Sequence, residues 1–223
     1  MNHRIITIDG PAGAGKTTIS KLLAQHLGCI YVDTGALYRG VAYEIQQQKI
    51  LWEDDARLEA FLAGLDLNFI LEKDQLILTS SGKDISPYIR TPEISMLASA
   101  SSAKPQVRAA LLAIQKNIAQ TQDAVFEGRD MGTVVFPDAA FKFFLFADLS
   151  VRARRRYNEM PAGQKQMDLI QQEMEKRDTH DSQRKEAPLI PAPDAIKIDS
   201  SYLTLQEVVA KMLKNIRKPE ILS

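Results

Sequence analysis

One glycine-rich run contains the residues whose types and spacing most directly indicate chemistry. It reads Gly-Pro-Ala-Gly-Ala-Gly-Lys-Thr and fits the pattern G-x-x-x-x-G-K-[ST]. Glycines let the backbone curl around a polyphosphate with its N–H groups turned inward, and Lys16 can then reach the β and γ phosphates. The Thr17 hydroxyl can join the shell of a Mg²⁺ that bridges phosphate oxygens. The run predicts a polyphosphate site built from Gly10, Pro11, Ala12, Gly13, Ala14, Gly15, Lys16, Thr17 and Thr18.

The residues on either side of this run form the elements that must hold it. Residues 4–8 are typical of a strand, and residues 16–27 carry apolar side chains at helical spacing before Gly28. A helix N-terminus presents unpaired N–H groups and the positive end of the helix dipole to a phosphate. The order strand, loop, helix therefore suits phosphate binding.

The composition excludes several classes of function. Hydrophobic residues make up 45% and charged residues 25% of the 223 residues, which is typical of a globular chain and predicts one α/β domain. Because 28 basic residues balance 28 acidic ones, no overall field would draw the chain to nucleic acid or to an anionic membrane. The single cysteine and three histidines predict neither a disulfide nor a zinc site, and no apolar run reaches the ~18 residues of a membrane span. We therefore expect a cytoplasmic protein with local ligand-binding clusters. We also expect a monomer, although the oligomeric state does not follow from the residues.

Short apolar segments separated by helical patterns organise the rest of the chain. Five of them are typical of buried parallel strands, at 5–8, 29–32, 124–127, 141–146 and 195–198. Helical periodicity covers 35–48, 105–119 and the residues after a capping box at 204–207. This alternation predicts a parallel sheet covered by helices on both faces.

Two segments depart from the alternation. Residues 65–86 have the pattern of an antiparallel hairpin, 67–71 against 75–79 with Glu72-Lys73-Asp74 at the turn, and predict an inserted β subdomain. Residues 152–164 begin with four arginines among five positions and reach Pro161-Ala162-Gly163, which predicts a charged helix that ends in a mobile loop. The arginine run is also compatible with a solvated helix face or an RNA-binding stripe, although no aromatic residues interleave with it.

Polar loops follow two of the predicted strands. Asp33-Thr34-Gly35-Ala36-Leu37-Tyr38-Arg39 follows one, and Glu127-Gly128-Arg129-Asp130-Met131-Gly132 begins where another ends. Open α/β sheets bind ligands at this carboxyl end of their strands. Taken singly, the loops have structural alternatives, because Thr34 can cap a helix and Arg129 can pair with Asp130. Two such loops facing a phosphate-binding loop indicate a second ligand.

Together with Arg177-Asp178-Thr179-His180-Asp181-Ser182-Gln183-Arg184, these loops resemble the bacterial cytidylate kinases, the CMP kinase branch of the nucleoside monophosphate kinases. The resemblance runs from Ile5 to about Ile216, and the stretch from Gly128 to Pro137 is its most specific part. It implies a P-loop kinase fold, α/β, with a five-stranded parallel sheet flanked by helices. It further implies a core (1–33, 109–151 and 165–223), a CMP-binding subdomain with a small β insertion (34–108) and a helical lid (152–164).

The resemblance also implies a role for each matching residue. Lys16, Arg129 and Arg156 would act in catalysis, with Arg152 as a second candidate beside Arg156 on the lid. Arg39 and Arg129 would bind the CMP phosphate, because a guanidinium suits a dianion. The implied substrate-binding residues are Asp33, Thr34, Tyr38, Arg39, Ser99, Arg108, Arg129, Asp130, Arg177, Asp181 and Arg184.

Within that set the roles differ. The cytosine edge would be read by Ser99, Arg108, Asp130 and Arg184, and the sugar would be held by Arg177 and Asp181. Thr34 and Tyr38 would line the same pocket. Asp33 would either order metal-bound water or serve the structure.

Cytosine recognition also has support from base chemistry. Cytosine presents an exocyclic amino donor beside ring acceptors, so its reader needs one carboxylate together with cationic or hydroxyl donors. Asp130, Arg108 and Ser99 provide that set, although a neighbouring serine of 98–102 could replace Ser99. Uracil would place its O4 lone pairs against the carboxylate, which supports its rejection.

The residues and the resemblance together predict a phosphotransferase of pyrimidine nucleotide metabolism. It would move the γ-phosphoryl group of ATP to CMP or dCMP with the help of Mg²⁺, and release ADP and CDP or dCDP. The acceptor needs no general base, because the second pKa of a phosphate monoester is near ~6. One alternative is a P-loop kinase for UMP or for a small metabolite such as shikimate or gluconate. Another is a GTPase-like switch, whose usual Asn-Lys-x-Asp tetrapeptide is absent from this sequence.

Overall fold

The computed structural model describes residues 3–72, 75–160 and 166–216. No helix in these ranges is both long and apolar enough to cross a membrane. One turn of π-helix occupies Met131–Val135. The remaining elements, in chain order, are β1 (Ile5–Asp9), α1 (Lys16–Leu27), β2 (Ile30–Asp33), α2 (Thr34–Gln47), α3 (Asp55–Ala63), β3 (Leu67–Glu72), β4 (Gln75–Ser80), β5 (Lys83–Asp84), α4 (Pro92–Ser101), α5 (Pro105–Ala119), β6 (Ala124–Gly128), β7 (Phe141–Phe146), α6 (Leu149–Glu159), α7 (Met167–Gln183), β8 (Ile196–Asp199) and α8 (Leu205–Ile216).

β1 lies at the centre of a five-stranded sheet whose order is β2-β6-β1-β7-β8. It pairs in parallel with β6 and with β7, and β7 pairs in parallel with β8. Ile6 and Ile8 of β1 are fully buried, as expected for a central strand covered on both faces. The predicted five-stranded parallel sheet is therefore confirmed. Its register places Asp9 beside Gly128, so the loops after β1 and β6 start side by side.

The chain divides into two compact units, which are Met1–Tyr31 with Gln122–Ser223, and Val32–Thr121. Leu23, Phe143 and Met212 belong to the hydrophobic core of the first unit. Leu37, Leu58 and Leu111 belong to that of the second unit. Each unit thus has its own core, and the predicted division into core, subdomain and lid stays a prediction.

The second unit contains a separate antiparallel sheet of β3, β4 and β5. β3 pairs with β4 from Leu67 opposite Ser80 to Glu72 opposite Gln75, so the predicted hairpin is confirmed. Helix α2 packs tightly within the same unit, because a Cβ added at Gly40 would lie 2.8 Å from Leu78 Cδ2. The predicted turn residues Lys73 and Asp74 lie outside the described residues.

Some elements begin at residues other than those predicted. α2 begins at Thr34, because the Asp33 carboxylate accepts the Ala36 N–H at 3.1 Å and caps the helix. The arginine run lies on α6, which begins at Leu149, upstream of the predicted charged helix. The two-residue strand β5 and the helices α3 and α4 were not predicted. Residues 161–163, predicted as a mobile loop, lie outside the described residues.

Candidate active site

The P-loop (residues 10–17) joins β1 to α1 in a conformation that depends on glycine. Gly10 has φ 148°, and a Cβ added there would overlap the carbonyl oxygen of Leu145 in β7. Gly13 has φ 74°, and a Cβ added there would lie 2.7 Å from Met174 Cε in α7. Only glycine lets the loop leave β1 with this backbone geometry and pass so close to its neighbours.

Donors from the surrounding protein hold carbonyl oxygens of the P-loop. The Ala12 carbonyl accepts from Arg152 Nη1 at 3.1 Å, and the Ala14 carbonyl accepts from Ser200 Oγ at 3.0 Å. Because the N–H and C=O of a peptide unit point in opposite directions, carbonyls bound by the protein leave N–H groups directed toward a ligand. α1 follows without a side-chain cap on its N-terminus, which suits an anion at that position.

Lys16 is the buried cation of the P-loop. The residue is 4% exposed, and its ammonium group donates to the Pro11 carbonyl at 2.8 Å. Burial, together with the positive charges of Arg129 and Arg177, lowers the pKa of Lys16 to about 7, against the opposing effect of Glu127. A polyphosphate bound here would relieve the repulsion among these cations and favour the charged form of Lys16.

Glu127 is a site residue to which the sequence reasoning gave no role. Its Oε1 accepts from the Thr17 hydroxyl at 2.9 Å, and its Oε2 accepts from the Tyr31 hydroxyl at 2.6 Å. The residue is 8% exposed. One sequence signal could have identified it, because Glu127 lies near the carboxyl end of β6, the strand beside β1. A carboxylate in that position can act with the P-loop hydroxyl on a metal ion.

Asp9 was also missed, and it joins the end of β1 to the residues after β6. Its two carboxylate oxygens accept from the N–H groups of Met131 at 2.9 Å and Gly132 at 2.8 Å. Burial raises the pKa of Asp9 to about 6, although these two N–H groups act in the opposite direction. A Cβ at Gly132 would lie 3.0 Å from Thr7 Oγ1, so glycine permits this close approach. The result is a fixed connection between the P-loop strand and the loop with the predicted acceptor residues.

Arg129, Asp130, Asp181 and Arg184 are brought together by the fold, and we refer to them as the paired cluster. Arg129 Nε donates to Asp181 Oδ2 at 3.1 Å, and Arg184 Nη2 lies 3.6 Å from Asp130 Oδ1. Asp130 and Asp181 are 2% and 3% exposed. Burial alone would raise the pKa of Asp181, yet the charges of Arg129, Arg177 and Arg184 outweigh it and hold this pKa below its ordinary value. The cluster is therefore buried and its charges are matched.

The arginine run of α6 separates into buried and exposed members. Arg152 is 6% exposed, and it donates to the Ala12 carbonyl at 3.1 Å and to Asp178 Oδ2 at 2.6 Å. The side chain of Arg156, one helical turn later, is 48% exposed and lies 3.4 Å from Glu159. Arg152 thus braces the P-loop against α7, which differs from the lid position expected for it. Arg156 faces solvent, and its role on the lid stays a prediction.

Asp33 and Arg39 form an ion pair in the second unit. Asp33 Oδ2 accepts from Arg39 Nη2 at 2.8 Å, while its other oxygen caps α2. A Cβ at Gly35 would lie 3.0 Å from Arg39 Nη1, so this glycine leaves room for the pair. Among the described residues, Arg39 Nε is buried with no hydrogen-bond partner. Asp33 therefore caps α2 and pairs with Arg39, its part in ordering metal-bound water stays a prediction, and Arg39 retains donor capacity.

Tyr38 and Arg108 come together elsewhere in that unit. The guanidinium of Arg108 lies 5.8 Å from the centre of the Tyr38 ring, within the range of a cation–π contact, and Arg108 Nη1 donates to the Ser102 carbonyl at 3.4 Å. Thr34, at the start of α2, is 1% exposed. Ser99 lies on α4, and its carbonyl accepts from the Ser102 hydroxyl at 2.7 Å. A hydrogen bond thus links the two serines, and the Ser102 carbonyl contacts Arg108.

Comparison of the sequence with family models and with known proteins identifies the cytidylate kinase family. The model of the cytidylate kinase family matches residues 6–218. A cytidylate kinase of Geobacter sulfurreducens is 44% identical over 218 residues, which cover 97% of this chain and 94% of the relative. A cytidylate kinase of Fervidobacterium nodosum is 45% identical over 220 residues and 97% of either chain. Among solved structures, an uncharacterised protein of Eubacterium ventriosum has a TM-score of 0.51 at 12% identity, covering 97% of this chain and 100% of that one, which supports the fold alone.

Proposed function

The chain belongs to the cytidylate kinase family, and we propose that residues of its first unit form a donor end and an acceptor end of the active site. It is a (d)CMP kinase, which transfers the γ-phosphoryl group of ATP to CMP or dCMP. The donor end is the P-loop with Glu127. The acceptor end is the paired cluster. The observation that carries the proposal is the buried Asp130 held 3.6 Å from Arg184, in the same unit as the P-loop.

At the donor end, the P-loop N–H groups and Lys16 bind the β and γ phosphates of ATP. Lys16 is already desolvated, so its charge acts on the phosphates through little intervening water. Arg129, whose charge influences Lys16, is close enough to contribute to the same field. As the γ-phosphoryl group moves, these fixed cations stabilise the charge on its oxygens without reorganising.

The residues around Thr17 also fit a magnesium ion bound together with ATP. Mg²⁺ prefers oxygen ligands and is usually held by one or two protein groups plus the substrate phosphates. Thr17 and Glu127 supply a hydroxyl and a carboxylate 2.9 Å apart. No group of three metal-ligating acidic, histidine or cysteine side chains occurs in the described part of the chain, so the phosphates have to complete the site. The ion would neutralise phosphate charge and orient the γ-phosphoryl group.

At the acceptor end, Asp130 accepts from the exocyclic amino group of cytosine, and Arg184 holds Asp130 in place. Arg129 binds the phosphate of CMP, while Asp181 fixes the guanidinium plane of Arg129 through the bond at 3.1 Å. Arg177 and Asp181 bind the sugar. The acceptor phosphate is mostly a dianion at neutral pH, because its second pKa is about 6. Positioning and charge neutralisation therefore suffice, and the reaction needs no general base.

The remaining predicted residues have supporting roles. Arg39 is a further ligand of the CMP phosphate, and its buried Nε is a donor without a protein partner among the described residues. In the second unit, the proposed nucleoside-binding residues are Thr34, Tyr38, Ser99 and Arg108. Arg156 moves from its exposed position toward the transferring phosphoryl group when the lid closes, and closure excludes the water that would otherwise hydrolyse ATP.

A panel of acceptors tests the proposal. ADP release is measured with CMP, dCMP, UMP, shikimate and gluconate, and we expect CMP and dCMP to be the preferred acceptors. Asp130→Asn should lower kcat/KM for CMP by roughly 100-fold, the value of a good base-reading pair. It should not lower kcat/KM for UMP, because an amide N–H can donate to O4.

The exposed Asp138 provides a matched control. Asp138→Asn should leave the kinetic constants for both nucleotides at the wild-type values. Equal losses with CMP and UMP in Asp130→Asn would exclude base reading by Asp130. The proposed function itself would be contradicted if the wild-type protein preferred shikimate or gluconate. It would also be contradicted if the rate of ATP hydrolysis did not change when CMP was added.

A further inference from the structure

Tyr31, a residue without an assigned role, is bonded to the carboxylate at the donor end. It lies on β2, and its hydroxyl donates to Glu127 Oε2 at 2.6 Å. The other oxygen of Glu127 accepts from the Thr17 hydroxyl at 2.9 Å. Glu127 is 8% exposed, so these bonds form in a largely desolvated environment where they are strong. Each oxygen of the carboxylate therefore accepts a hydrogen bond from a hydroxyl group.

Lys21 acts on the same tyrosine from α1. Its ammonium group lies 5.7 Å from the centre of the Tyr31 ring, within cation–π range. Lys21 and Thr17 are four residues apart on α1, so they lie on one face of the helix. A cation near the ring draws electron density from the phenol and makes its O–H a better donor. Lys21, Tyr31, Glu127 and Thr17 thus form a continuous chain of polar contacts.

The two bonds to Glu127 have different consequences. The carboxylate torsion of a glutamate is broad, so a single hydrogen bond leaves the plane of the group poorly fixed. The second bond, from Tyr31, fixes that plane. With its proton directed at Glu127, the Thr17 hydroxyl presents its lone pairs to the other side, as a metal ligand must.

We propose that Tyr31 is a positioning residue for the metal–nucleotide end of the site, acting through Glu127 and supported by Lys21. The proposal rests on the function given above, specifically on Thr17 and Glu127 as the residues that fit magnesium. Without the phenol hydroxyl, Glu127 Oε2 loses this donor, and the orientation of the carboxylate relative to Thr17 is less constrained. Binding of ATP with Mg²⁺ is weakened, whereas binding of ATP alone is not, because Tyr31 acts through Glu127 and Glu127 serves the metal ion.

The test compares Tyr31→Phe with Tyr43→Phe, which removes the same hydroxyl from a tyrosine stacked on Tyr88 in the second unit. ATP is titrated calorimetrically into each protein with and without Mg²⁺, in the absence of CMP. Tyr31→Phe should raise the Kd measured with Mg²⁺ by roughly 10-fold, the lower end of what loss of an outer-shell partner costs. The Kd without Mg²⁺ should stay within about 2-fold of wild type, as should both values for Tyr43→Phe.

Activity provides a second measurement that a purely structural role would not reproduce. In Tyr31→Phe, the Mg²⁺ concentration for half-maximal activity should rise by a similar factor, while KM for CMP stays near its wild-type value. Lys21→Met should shift the same Mg²⁺ dependence in the same direction by a smaller factor. This variant leaves β2 untouched, so it tests the proposal even if Tyr31→Phe folds poorly.

The possible outcomes distinguish a failure of the role proposed for Tyr31 from a failure of the proposed kinase function. A lower melting temperature of Tyr31→Phe with an unchanged Mg²⁺ dependence in both variants would overturn the role of Tyr31. If Glu127→Gln also shows wild-type Mg²⁺ dependence, the assignment of Glu127 to the metal is wrong as well. Failure of the wild-type protein to phosphorylate CMP would instead contradict the proposed function.

Discussion

The P-loop and the paired cluster lie in the same unit, yet they balance their charges in opposite ways. At the P-loop, Lys16 is buried near two arginines and its pKa falls to about 7. In the paired cluster each guanidinium has a carboxylate, and the pKa of Asp181 lies below its ordinary value despite burial. An anion that enters the P-loop relieves an existing repulsion, whereas a ligand of the paired cluster meets charges that already have partners and must fit the donors and acceptors that these pairs leave open.

Because of this contrast, affinity and selectivity can be provided by different parts of one site. A repulsive cluster of cations binds any polyphosphate favourably, because every phosphate oxygen reduces the repulsion. A cluster with matched charges attracts an ion only weakly, so it accepts a ligand whose donors and acceptors complement its own, since a mismatch leaves buried polar groups unpaired. The donor end therefore provides affinity for polyphosphate, and the acceptor end provides selectivity among acceptor ligands.

The largest expected effect comes from removing the central cation of the P-loop. Lys16→Met should lower kcat/KM for ATP by at least about 1,000-fold, because a preorganised charge at the transferring group is lost. The same change should raise the melting temperature of the nucleotide-free protein by roughly 2–4 °C, the shift produced by ~1 kcal/mol in a chain of this size. Enzyme assays and thermal melts measure the two effects.

The sign of that stability change follows from the pKa of Lys16. Its folded-state pKa of about 7 is below the ordinary 10.5, so the charged form is penalised by folding. The penalty is full below pH 7 and disappears as pH rises toward ~10. The stability advantage of Lys16→Met should therefore shrink over that window, and Lys211→Met, on the exposed face of α8, should show none. An advantage that is constant with pH would contradict a charge penalty at Lys16.

A smaller effect is expected at the paired cluster, and with the opposite sign. Asp181→Asn should lower the melting temperature at pH 7 by about 5 °C, because Arg129 loses its charged partner. Its folded-state pKa is depressed, so the stability it contributes is present above pH ~4 and is lost as pH falls further. The difference from wild type should therefore disappear in acid, and KM for CMP should rise about 10-fold at pH 7.

Asp168→Asn, an exposed position on the same helix, is the control for this variant. It should change neither KM for CMP nor the acid part of the stability curve. A rise in KM for ATP that matches the rise for CMP in Asp181→Asn would remove the distinction between the two ends.

The smallest effect should come from a hydrogen bond that shapes the P-loop without contributing charge. Ser200→Ala removes the donor to the Ala14 carbonyl, and the hydroxyl that accepts from Arg155 at 3.1 Å. We expect a loss of about 1 kcal/mol of stability and roughly a 3-fold higher KM for ATP, with KM for CMP unchanged. Ser201→Ala, the same chemical change one residue later, should leave KM for ATP at its wild-type value. If it raises this constant equally, the loop after β8 does not act through Ala14.

Local patterns predicted the elements of the sheet better than the contacts between them. The apolar runs of β1, β6 and β7 were recognised because a strand buried on both faces has no polar alternation to obscure it. The start of α2 was missed by one position, because the cap supplied by Asp33 depends on one bond to Ala36. Such boundaries depend on individual hydrogen bonds, which propensity does not resolve.

The roles of Glu127 and Asp9 could not be predicted from local sequence patterns, because their partners are distant in sequence. Glu127 is 110 residues from Thr17, and Asp9 is 122 residues from Met131. Sheet register and strand order decide which of several carboxylates reaches a given partner. Neither can be predicted from one segment of the sequence. Arg152 illustrates the same limit within one helix, because α6 turns it into the protein and leaves Arg156 exposed.

Phosphate binding can be predicted from the sequence alone, because the glycine spacing sets the backbone geometry of the P-loop locally and Lys16 supplies its cation. Together with the family resemblance, the sequence also determined which polar residues follow the strands and hence the kind of second substrate. Only the tertiary structure decided how their charges are matched. Burial and the convergence of distant segments leave Lys16 repelled, Asp181 paired, and Glu127 bonded to both Thr17 and Tyr31. Electrostatic energy depends on distance and desolvation, and both are properties of the folded chain.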